Sequence, residues 1–94
     1  MAEMEKKRYW LTLHNLEQER VIGFKEKQEQ IRRGGNIEWQ VLIEITSLDL
    51  SRFPTSEDLV GQSYWEYGAR IIDARQLVAR NILLALKVDE KDIK

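Results

Sequence analysis

The chain has 94 residues, 43% of them hydrophobic and 33% charged, with a formal net charge of −1. That composition describes one small globular domain spanning 1–94, and its near-neutral balance supplies no global field toward nucleic acid or an anionic membrane. It contains no cysteine, which excludes disulfide scaffolds, thiolate zinc sites and cysteine nucleophiles and fits a cytoplasmic protein.

Residues 1–7 are charged and expected to fray; the stretch from Met1 to Arg8 lacks the apolar core of a secretory signal. The longest unbroken apolar run, Ile82 to Leu86, is far short of the ~20 residues needed to span a bilayer. From Arg8 to Leu13 the sequence reads RYWLTL, aromatic and β-branched with rough alternation, which suits a short strand. Residues 16–33 then read as a helix. Asn15 with Gln18 makes a capping box, Gly34 and Gly35 stand where a C-cap belongs, and Val21, Phe24 and Ile31 form a thin apolar face weakened by Gly23. A rival reading turns Glu19 to Phe24 into a strand, with the Gly-Gly region turning into the next strand and giving a three-stranded meander.

Residues 37–46 are the clearest strand. Ile37, Trp39, Val41, Ile43 and Ile45 face one way, and Glu38, Gln40, Glu44 and Thr46 the other. One apolar face indicates a sheet packed on one side, while Leu42 interrupts the polar side and points to partial cover there. Residues 47–54 connect, with Leu48, Leu50 and Phe53 tucked against the core. Thr55 and Asp58 cap a short turn ending before Gly61.

The strongest periodic signal follows. Ser63 and Glu66 form a capping box, and Val60, Tyr64, Tyr67, Ile71, Ala74, Val78, Ile82 and Ala85 recur at helical spacing, predicting a long helix from Tyr64 to Val88. A second stripe, Trp65, Ile72, Ala79, Leu83 and Leu86, lies about a third of a turn away. One stripe seats the helix on its core; the second asks for another surface, supplied by a second copy or by this chain's own first helix and connector. Residues 89–94 are a polar tail expected to fray. The fold class is therefore α+β, a two- or three-stranded sheet packed on one face by a long C-terminal helix, with a second, more polar helix.

Chemistry-bearing residues are sparse. His14 is the single histidine, so there is no second histidine for a metal pair, and a general-base role needs a cleft and an orienting carboxylate. The glycines form no phosphate-cradling motif. Glu66, Asp73 and Arg80 line the polar back of the expected helix, with Arg70 and Asp73 as a local charge pair. No catalytic, cofactor or metal residue stands out. The sequence points to a small non-enzymatic interaction or regulatory protein, acting as a homodimer and engaging a protein partner through Trp65, Ile72, Ala79, Leu83 and Leu86, with Trp39 as a core anchor. The alternative is a nucleic-acid-associated factor using Lys6, Lys7, Arg8, Trp10, Arg32 and Arg33, a mixture of charge and stacking groups. A small enzyme built around His14 is a third, weaker alternative.

Overall fold

The computed structural model describes residues 8–93. The elements run α1 (Tyr9–Gln18), β1 (Ile22–Arg33), β2 (Asn36–Leu48), β3 (Ser63–Gly68) and α2 (Ile71–Ala85), with short 3-10 turns at Glu57–Leu59 and Glu90–Asp92. The three strands form one antiparallel sheet in the order β1-β2-β3. The expected α+β class holds, with α2 packing on one face of the sheet. Neither helix is long and apolar enough to cross a membrane.

The centre of the sheet is the strand that the alternation of residues 37–46 marks. Val41, Ile43 and Ile45 are fully buried under α2, which contributes Ala74, Val78, Ala79, Ile82 and Leu83 to the same core. The apolar alternation outlasts the cover, however. Ile37 lies where β1 and β2 run on beyond β3, and it is 51% exposed.

Three expectations are corrected by the tertiary context. Arg8 to Leu13 is not a strand but enters α1. The rough alternation conceals a helical spacing, Tyr9, Leu13 and Leu16, that packs against the core. Residues 16–33 are not one helix. α1 stops at Gln18, and β1 carries the chain back along β2, as in the meander reading. Gly34 and Gly35 both adopt positive φ, +55° and +87°, the signature of a two-residue type I′ hairpin turn and not of a helix cap. Finally, the helix expected from Tyr64 starts only at Ile71. Ser63 to Gly68 is a strand, because the edge of β2 is open there and alternating Tyr and Trp suit a half-covered ladder.

Both helices end in a Schellman motif without glycine. At the end of α1 the Val21 amide donates to the Leu16 carbonyl and the Arg20 amide to Glu17, with Arg20 at φ 64°. Leu83, Leu84, Lys87 and Val88 repeat this after α2, with Lys87 at φ 62°. The turn after α2 carries the chain back across the core, so the expected fraying of 89–94 is not observed for 89–93: Ile93 is buried. Of the connector residues, Leu48 and Phe53 pack on the core, while Leu50 is exposed.

Gly68 closes β3, with only Ala69 and Arg70 between it and α2. A Cβ there would sit 2.8 Å from the Ala74 amide nitrogen and 3.0 Å from the Asp73 Cβ, so only glycine lets the helix start against the strand end. Gly68→Ala is expected to destabilise by about 1–3 kcal/mol through overpacking. Arg20→Gly should instead stabilise by about 1 kcal/mol by relieving the left-handed strain. Urea unfolding of the two variants beside the wild type reads both signs.

Candidate functional site

Two regions of the molecule carry more than packing requires. The first joins three elements beneath the helices. The Arg75 guanidinium of α2 donates to both carboxylate oxygens of Glu26 on β1, at 2.7 and 3.0 Å, and lies over the Trp10 ring of α1 at 4.6 Å. Trp10 in turn meets Phe24 edge-on at 5.9 Å and stacks beside His14, while its backbone amide donates to Oε1 of Gln76 on α2. Partial burial alone would raise the Glu26 carboxyl pKa. The hydrogen bonds from Arg75 and Gln28, with the Arg75 charge, outweigh burial and hold it below the ordinary carboxylate range. The Arg75 guanidinium and the Trp10 amide are both satisfied within the chain, so the cluster fastens α1 to the sheet.

The second region is the opposite face of the sheet, which neither helix covers. Pairing sets Lys27, Leu42 and Trp65 in one cross-strand row, and Glu29, Gln40 and Tyr67 in the next. Trp65 is 52% exposed. Its neighbour Leu42 is half-buried although no helix lies above it, so the partial cover that Leu42 predicted comes from the sheet's own side chains. The Tyr67 hydroxyl accepts from Gln40, and the Arg33 guanidinium lies over its ring at 4.5 Å while also reaching Glu38 at 3.4 Å.

Of the sequence-derived contact residues, Trp65 and Ile72 are exposed, on β3 and in the first turn of α2, whereas Ala79, Leu83 and Leu86 are buried in the chain's own core. The second stripe is thus split between two elements and is not a continuous helix face. Trp39 is half-buried on the helix-covered face, between Gln30 and Gly68. Lys6 and Lys7 lie outside the described residues. Arg8 is exposed just before α1, and Trp10 is half-buried beneath Arg75. Arg32 and Arg33 stand at the hairpin tip on opposite faces of β1. Trp10 packs at Phe24, and Arg32 lies eight residues further along β1, roughly 26 Å at strand rise; these groups do not form one surface.

His14 is an exposed side chain 3.7 Å from Glu17 on the same helix. Glu66 is not on a helix back: it faces the core side of β3 and accepts from Asn81 at 2.7 Å. The Arg70–Asp73 pair is present as a bidentate contact at 3.1 Å. Among the described residues no group of three or more His, Asp or Glu side chains is placed to hold a metal ion, and a depression lined by Pro54, Thr55, Glu57 and Asp58 is wide open to solvent. Glu26 and Arg75 carried no sequence signal, since their partnership spans 49 positions. The Trp65 face was half legible in the interruption at Leu42. No known protein family, curated protein or solved structure matches the chain.

The clamp has a definite pH signature. A carboxyl whose folded pKa is depressed stabilises the fold above its unfolded pKa and loses that contribution as pH falls through the folded value. Glu26→Gln is therefore expected to cost about 2 kcal/mol at pH 7, and progressively less as the medium is acidified through the carboxylate range. Urea midpoints of both proteins at pH 7, 5 and 3 measure that convergence.

Proposed function

We propose that the chain is a small non-enzymatic interaction protein of the cytoplasm, working as a homodimer and engaging a protein partner through the uncovered face of its sheet. The observation that carries this reading is the exposure of Trp65 on the β3 side of that face, beside Leu42 and Tyr67. A large ring with one polar handle, flanked by apolar and charged neighbours, is the composition of a protein-contact centre with a polar rim. Lys25 and Lys27 share the face with Glu29 and Glu44, and Arg33 is engaged by Glu38. The charges therefore balance, which favours a protein over a polyanion.

The test is a photo-crosslinking amino acid at position 65 in cells, beside the same group at the exposed Arg80 of α2. A discrete protein adduct from position 65 and none from position 80 is the expected result, and Leu42→Asp should remove it. The absence of any adduct from position 65 removes the reading. Fluorescence anisotropy with single- and double-stranded oligonucleotides should stay flat at tens of micromolar protein; a signal lost steeply with rising salt would replace it with the nucleic-acid alternative.

A further inference from the structure

The other feature without a partner among the described residues is a backbone edge. β1 is 12 residues long and bounds the sheet on the side away from β3. Its outward groups follow from the hydrogen bonds of β2. Ile45 donates its amide to the Gln62 carbonyl and accepts from the Gly61 amide, so its backbone faces β3. Alternation then turns the amides of Ile37, Trp39, Val41 and Ile43 the same way. Their partners on β1, namely Arg32, Gln30, Gln28 and Glu26, with Phe24 opposite Ile45, therefore direct amides and carbonyls to the free edge.

We propose that two copies of this chain join β1 to β1, antiparallel about a two-fold axis at Gln28, making one six-stranded sheet. The charge sequence of the strand selects both the partner and the register. With Gln28 opposite its own copy, Lys27 of each chain faces Glu29 of the other, twice, at the closely spaced non-hydrogen-bonded positions. Glu26 faces Gln30, Lys25 faces Ile31 and Phe24 faces Arg32, and no like charges oppose. Sliding one step toward the start of β1 sets Lys27 against its own copy, and one step the other way sets Glu29 against itself. Lysines on an edge normally bar indiscriminate pairing; here Lys27 of each chain meets an opposite charge across the edge only in this register, while Lys25 faces Ile31. The outward amides and carbonyls from Phe24 to Arg32 supply about ten backbone hydrogen bonds across the axis.

This inference rests on the homodimer in the proposed function and not on the Trp65 face, which lies nearer the opposite edge and stays open in the dimer. Light scattering over a wide concentration range should give the wild type a mass twice the 11.2 kDa of the chain. Lys27→Glu and Glu29→Lys, both at exposed positions, should each raise the dissociation constant about tenfold, and the two together should restore it. Gln28→Pro removes an outward amide that β2 does not use, and should give a monomer that keeps its circular dichroism and melting transition. Independently of any variant, hydrogen exchange at Glu26, Gln28, Gln30 and Arg32 should slow as wild-type concentration rises. A wild type that remains at 11.2 kDa, single charge reversals without effect, a charge-swapped double variant that is not restored, or exchange at these amides that ignores concentration would each overturn the edge dimer. Loss of the dimer in Trp65→Ala but not in Lys27→Glu would overturn it in favour of a sheet-face dimer.

Discussion

The structure hangs on β2, a single strand asked to have two different faces and two different neighbours. Its alternation buries Val41, Ile43 and Ile45 beneath α2 and turns Gln40, Leu42 and Glu44 to the other side. It accepts β1 along its whole length and β3 along half of it. Shifting its register by one residue would exchange the faces and put Glu44 against Ile82 and Leu83. Every other element is placed by that requirement: α2 over the apolar face, β3 at the edge that the connector can reach, and α1 beside α2. A core of this size is thin, and replacing one large buried side chain such as Leu83 by alanine would remove about 2–5 kcal/mol, a large share of the total for so small a domain.

Aliphatic packing seats α2 and also α1, through Leu13 and Leu16, while a polar device ties α1 to the sheet. Arg75 engages both β1, through Glu26, and α1, through Trp10. A guanidinium suits the task because its planar fork matches a carboxylate while its face stacks on an indole. Lysine could replace its charge but neither geometry. The ends of the helices add the complementary constraint: two left-handed residues, Arg20 and Lys87, reverse the chain so that Val21 and Val88 turn back toward the core.

What remains unused by folding is what function can draw on. The helices cover one face of the sheet, which leaves an aromatic centre at Trp65 on the other. The meander leaves β1 as a long edge whose charges are ordered so that they complement their own reversal. These two features do not compete, since they lie on different parts of the sheet, and an edge dimer would present two Trp65 faces on one continuous surface. Chemistry, by contrast, finds little to work with among the described residues. The polar side chains that come together, Glu26 with Arg75 and Glu66 with Asn81, satisfy each other.

The sequence by itself determined the features that depend on short-range pattern: the α+β class, the central strand and its buried face, the helical spacing from Ile71 onward, and the Arg70–Asp73 pair. It misled wherever a local pattern had two solutions. RYWLTL and Ser63 to Gly68 each satisfy helix and strand rules over six residues, and Ser63 with Glu66 reads as a helix start, whereas the true helix begins after Arg70 with no side-chain cap. Only the tertiary structure decided between them, because the deciding partners are remote: the open edge of β2 claimed Tyr64 to Gly68 as a strand, and α2 offered α1 a surface to pack on. The same reason divides the contact residues. Trp65 and Ala79 share a stripe only if one helix carries both; once β3 ends at Gly68, the two belong to opposite sides of the molecule, one exposed and one in the core. The charge order Lys27, Gln28, Glu29 stands in the sequence, but its bearing on pairing becomes legible only once the fold identifies β1 as a strand and as an edge of the sheet.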